Sequence, residues 1–139
     1  RYLGTVKYIR GPKRLPLTKP PYTRVSAVNL NSGRYKWMVP NGDGLRQQII
    51  DQGVPDPGPV GGGSFTGPLL TRSLLFIGGH DGNPLLRAFD KETGEVVHET
   101  ELPLDPFGTP MTYMVDGKQY ISVAVGGAKD ARLVTLALP

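Results

Sequence analysis

Leu86-Arg87-Ala88-Phe89-Asp90-Lys91-Glu92-Thr93-Gly94-Glu95-Val96-Val97-His98 is the stretch that decides the fold, because an earlier one repeats it: Ser26-Ala27-Val28-Asn29-Leu30-Asn31-Ser32-Gly33-Arg34-Tyr35-Lys36-Trp37. Gly33 and Gly94 stand 61 residues apart, and the same offset sets Ala27 on Ala88, Asn29 on Asp90 and Ser32 on Thr93. The Asn or Asp can accept hydrogen bonds from backbone N–H groups two or three residues on, and the glycine supplies the positive φ that the turn needs. β-formers flank both copies: Val28 and Tyr35 in the first, Phe89, Val96 and Val97 in the second. Each copy therefore reads as a strand, a tight turn and a strand. One hairpin cannot bury its own apolar face, so a repeated hairpin predicts stacked like units, as in a β-propeller or a related array.

A propeller blade takes roughly 40–50 residues and closed propellers have about 4–8 blades. The 139 residues hold about three blades at most, which reads as a portion of a longer protein. The 19 glycines and 14 prolines punctuate apolar runs such as Leu74-Leu75-Phe76-Ile77, which is turn-rich β structure and not disorder. No run approaches the 18 apolar residues of a membrane span, and no signal-peptide pattern stands at Arg1, where a portion of a longer protein would not show one. The absence of cysteine removes disulfides, thiolate metal sites and cysteine nucleophiles from consideration.

Charge is divided unevenly. Residues 1–42 carry nine basic side chains and no acidic one, and the remainder carries seven basic and twelve acidic. A basic arm suits an anionic partner, but no RNA- or DNA-binding motif accompanies it, so a solvated or internally paired face is the reading and nucleic acid is not an expected partner.

Along the chain, residues 1–24 read as one strand followed by an extended, polyproline-like strap, Gly11 to Tyr22, whose four prolines exclude a helix or a central strand. Residues 25–67 read as blade strands plus a crossing loop, with a hint of helix at Leu45 to Asp51. The loop contains Gly61-Gly62-Gly63-Ser64 but neither phosphate-binding glycine pattern. Residues 68–103 read as a blade built on the second repeat copy. Residues 104–139 supply the final strands: a turn cluster at Asp105 to Pro110, a hairpin about Asp116-Gly117-Lys118, and Leu133 onward as the start of a third copy.

Leu15-Pro16-Leu17-Thr18-Lys19-Pro20-Pro21-Tyr22, Trp37-Met38-Val39-Pro40-Asn41-Gly42-Asp43, Leu85 to Gly94, Gly108-Thr109-Pro110-Met111-Thr112-Tyr113, Asp116-Gly117-Lys118-Gln119-Tyr120 and Ala137-Leu138-Pro139 together resemble the carboxy-terminal part of the quinoprotein dehydrogenases, in their glucose dehydrogenase-like branch. The resemblance implies an all-β fold of antiparallel four-stranded blades, eight in the complete propeller and about two to three here. It implies an oxidoreductase of the periplasm that oxidises a sugar or alcohol by hydride transfer to pyrroloquinoline quinone (PQQ), beside a Ca²⁺ ion, and passes electrons to a quinone or cytochrome. The family's tryptophan-docking motif places Trp37 against a neighbouring blade; the second copy has His98 in that position, which reads as a packing residue. Asp81, in the loop before Leu85-Leu86-Arg87-Ala88-Phe89-Asp90, matches the family's cofactor-pocket aspartate. The metal ligands and the catalytic base lie outside this segment, so no catalytic or metal-ligating residue is assigned here, and His80 is not taken as a ligand. The other reading is a non-catalytic propeller of PQQ-like repeats that binds proteins, as in outer-membrane assembly lipoproteins. Under either, open sheet edges predict that the isolated chain associates.

Overall fold

The structure, a computed structural model, describes residues 9–63, 66–80 and 84–137. The first repeat copy forms an antiparallel pair, β1 (Arg24–Asn29) and β2 (Arg34–Pro40). A short helix, α1 (Arg46–Asp51), follows where the sequence hinted at one. A four-stranded antiparallel sheet comes next in the order β3 (Leu69–Leu70), β4 (Leu74–His80), β5 (Pro84–Asp90) and β6 (Val96–Glu101). The second repeat copy is the β5–β6 hairpin. β7 (Pro106–Val115), β8 (Lys118–Val125) and β9 (Arg132–Ala137) form a further antiparallel sheet in that order. Asp116 and Gly117 at the β7–β8 turn both have positive φ, 49° and 75°, which is the twist a two-residue hairpin turn requires.

The repeat extends to the turn hydrogen bonds that the residue pattern predicts and to a pair of bulges that it did not reveal. In the first copy Asn31 N–H and Ser32 N–H donate to Asn29 Oδ1 at 2.9 and 3.2 Å; in the second, Glu92 N–H and Thr93 N–H donate to Asp90 Oδ1 at 2.7 and 2.9 Å. Gly33 and Gly94 close their turns on the Asn29 and Asp90 carbonyls. A bulge lies between Ala27 and Val28, and its counterpart between Ala88 and Phe89. Trp37 pairs across from Ala27 as His98 pairs across from Ala88.

Apolar residues face both sides of the four-stranded sheet, so the core lies in two layers. Leu75, Ile77 and the fully buried Phe89 pack against Val25, Trp37 and Val39 of the preceding sheet. On the opposite face Leu86 joins Leu102, Val123 and Val125.

Two local expectations are revised. The strap contains a 3₁₀ turn at Pro12–Arg14, in which Leu15 N–H donates to the Pro12 carbonyl. Proline is tolerated there because a first-turn N–H has no partner to lose. The segment read as a turn cluster, Asp105 to Pro110, is from Pro106 on the start of β7 instead. Pro106 and Pro110 are accommodated because, among the described strands, β7 pairs only with β8, and a bulge between Phe107 and Met111 absorbs the irregularity. The strand expected before Arg10 falls mainly on residues outside the described part.

Candidate functional site: the β4–β5 end of the central sheet

Asp81, the one cofactor-binding residue expected from sequence, lies outside the described residues, in the connection between β4 and β5. The last pair flanking that connection is His80 with Pro84, and the His80 side chain is likewise outside the described part. What is described is the end of the sheet from which that connection runs. Arg87 leaves β5 on the face shared with Phe89 and is 3% exposed. Its Nε donates to Glu99 Oε1 at 2.5 Å across the β5–β6 pair, which gives the buried cation a counter-charge. The guanidinium lies against Gly79: a Cβ there would stand 2.4 Å from Arg87 Nη1, so a side chain at this position would displace the guanidinium.

Asn41, just past the end of β2, comes to the same corner. Its Oδ1 lies 4.0 Å from that Gly79 Cβ position, and Asn41 is 6% exposed. The Asn41 carbonyl accepts from Gly62 N–H and the Gly42 carbonyl from Gly61 N–H, both at 2.8 Å, so the glycine-rich loop is tied to the end of the first hairpin. Asn41 Oδ1 has no hydrogen-bond partner among the described residues. The orphaned amide oxygen can accept a hydrogen bond from a ring N–H or hydroxyl of a ligand, which fits a quinone cofactor that carries such a donor, while the Arg87 charge is taken up by Glu99. Among the described residues no three acidic or histidine side chains are gathered to hold a metal.

Sequence reading did not single out Arg87 or Asn41. For Arg87 the signal was present: a lone arginine inside Leu85-Leu86-Arg87-Ala88-Phe89, with Glu99 on the adjoining strand. For Asn41 there was none, because its burial depends on the loop at Gly61 and Gly62, twenty residues on.

The second feature joins the two repeat copies. Trp37 Nε1 donates to the Lys91 carbonyl at 2.9 Å, and a Cβ on Gly94 would stand 2.6 Å from Trp37 Cε3, so the indole lies directly on the glycine of the next turn. Lys36 forms an ion pair with Glu92 beside it, which holds the Glu92 carboxyl below its usual range. Asp90 is lowered too, by the N–H groups of Thr93 and Glu92. His98, the counterpart of Trp37, is exposed on β6, and the expected packing is not made within the described residues. A groove of about 820 Å³ runs along the open edge of β1, walled by Val25, Ala27, Trp37, Leu70, Leu75 and Ile77.

Residues 1–121 match the family model for the PQQ glucose/ethanol/alcohol dehydrogenase β-propeller domain. The chain is 31% identical over 121 residues to a quinate/shikimate dehydrogenase (quinone) of Acinetobacter baylyi, covering 84% of this chain and 15% of that protein. It is 32% identical over 127 residues to the quinoprotein glucose dehydrogenase of Escherichia coli, covering 91% and 16%. Among solved structures, the quinohemoprotein alcohol dehydrogenase of Comamonas testosteroni aligns with a TM-score of 0.52 and 28% identity over 83% of this chain and 14% of that one. The chain thus spans about a seventh of the length of such relatives. With the sheet order, the paired turn units and this match in agreement, the chain belongs to the PQQ-dependent glucose/ethanol/alcohol dehydrogenase family of β-propellers.

Proposed function

We propose that this chain is the carboxy-terminal portion of a periplasmic PQQ-dependent dehydrogenase that oxidises a sugar or alcohol. The observation that carries the reading is the family match across residues 1–121. When bound, PQQ supplies the hydride acceptor, and a quinone or cytochrome takes the electrons onward. Within this chain, Asp81 is the residue assigned to the quinone, while Arg87 and Asn41 give the adjoining end of the sheet a fixed shape. Ca²⁺ is held by residues outside this segment, as is the base, so the isolated 139 residues do not turn over. Trp37 serves as the family's docking tryptophan, supported by its seat on Gly94 and its bond to the Lys91 carbonyl. The division into a strap at 1–24, blade strands and loop at 25–67, a blade at 68–103 and final strands at 104–139 belongs to the same reading.

The test is a PQQ titration of the full-length gene product, with and without Ca²⁺, followed by quinone absorbance, then repeated with Asp81→Asn. Saturable, calcium-dependent binding that weakens about tenfold or more in the variant is expected, the loss of a charge-assisted contact. A full-length protein that binds no PQQ would instead be the protein-binding scaffold.

A further inference from the structure

We propose that the strap before β1 is a docking surface for anionic phospholipid, independent of the cofactor reading. Arg10, Lys13, Arg14 and Lys19 are exposed, and no acidic residue occurs before Asp43. The strap is compact: Gly11 N–H donates to the Leu15 carbonyl at 2.7 Å, and Arg10 Nη1 to the Arg14 carbonyl at 3.2 Å. Lys13 and Arg14 both have positive φ, 55° and 61°. Lys13 Nζ donates to the Gln52 carbonyl at 2.5 Å, which ties the strap to the end of α1.

None of the four cations meets a carboxylate among the described residues. The acids on the neighbouring excursion are engaged elsewhere: Asp43 and Asp56 by Arg46, and Asp51 by the Gln47 amide. Among the cations stand two aliphatic side chains turned to solvent, Ile9 at 79% and Leu17 at 66% exposed, and a Leu17 methyl lies 3.1 Å from the Cβ position of Gly11. Clustered cations with adjacent aliphatic tips fit a bilayer surface, where the charges meet headgroup phosphates and the tips enter the acyl boundary. A shaped protein partner is less well served, because the groove along β1 begins at Thr23 and none of the four cations lines it.

The experiment is vesicle flotation of the full-length protein on phosphatidylcholine alone and with 30 mol% phosphatidylglycerol. An apolar anchor elsewhere would bind both compositions alike, so the ratio of the two partition coefficients is the readout. A ratio above about 50 at 0.1 M salt is expected, falling towards one at 0.5 M, with about a fivefold loss per cation removed. The combined change Arg10→Gln, Lys13→Gln, Arg14→Gln, Lys19→Gln should bring the ratio close to one. Leu17→Ser should weaken binding to the anionic vesicles about threefold or more without altering the salt dependence. Circular dichroism checks the fold of each variant, and Arg14→Gln with Lys19→Gln, which leaves the Lys13 tie intact, replaces the fourfold change if that one unfolds. A wild-type ratio near one, or a ratio unchanged by these substitutions, overturns the proposal. Retention on poly-glutamate with no preference for anionic vesicles overturns it as well, in favour of an acidic protein.

Discussion

Trp37 couples two sheets through three contacts of different kinds: apolar packing among Val25, Leu75, Ile77 and Phe89, a hydrogen bond to the Lys91 carbonyl, and a face laid on Gly94. Trp37→Ala should cost about 3–5 kcal/mol in urea unfolding of the full-length protein, as expected for a large aromatic removed from a packed layer. Gly94→Ala should cost about 2–4 kcal/mol, part from a φ of +79° and part from collision with the indole. In the Trp37→Ala background the collision is gone, so the second substitution should cost only about 1 kcal/mol, the conformational share. Strict additivity of the two costs would mean that the indole does not rest on this glycine. The sequence shows this residue scale unevenly. Asn29, Asp90, Gly33 and Gly94 could be read because their bonds close within five residues. Arg87 carried a signal, a lone arginine in an apolar run, that was not followed, and Asn41 carried none, because what buries it comes from a distant loop.

At the scale of elements, α1 and the loop after it are held by one cation. Arg46 grips Asp56 through Nε and Nη2 at 2.8 and 2.7 Å, and Gly58 N–H donates to the same carboxylate. These bonds, Arg46's first, lower the Asp56 carboxyl to about 2. A group whose folded value is depressed contributes its stabilisation above the unfolded value near 4 and loses it as pH falls towards the folded value. The loop should therefore stay closed at pH 5 and open progressively between about pH 4 and pH 2. Amide exchange at Gly58, corrected for its intrinsic rate, reports the opening directly. Arg46→Met should make protection low and independent of pH across that interval, whereas flat, high protection in the wild type down to pH 2 would rule the clamp out. The hairpins were legible because alternation and turn chemistry are local. The start of β7 was not, since Pro106 and Pro110 read as breakers, and only their place on a strand paired on one side makes them tolerable.

At the scale of the whole molecule, the described residues leave sheet edges and faces without neighbours. In the four-stranded sheet β5 has β6 on one side and β4 on the other, whereas its counterpart β1 has only β2. The repeat offset would place a counterpart of β4 at residues 13–19, where the strap runs and Pro16 removes a donor, so among the described residues no strand lies beside the groove along β1. At the other end β9 pairs, among the described strands, only with β8, and the sheet exposes Phe107, Met111, Tyr113, Val115 and Leu133. Stacked hairpin units could be foreseen from two copies 61 residues apart; which edges stay open could not, because that depends on what each strand finds beside it. Open edges next to apolar faces favour pairing between chains. The isolated 139 residues should therefore scatter light as dimers or larger species at low micromolar concentration. Leu133→Lys puts a charge on the exposed face of β9, and should shift the association midpoint upward about tenfold or more, by removing apolar contact and adding repulsion. A wild-type chain that stays monomeric through tens of micromolar would mean that these edges are closed within the chain itself. A midpoint unmoved by Leu133→Lys would place the contact at β1, where Val25→Lys, on the wall of the groove, is the corresponding substitution.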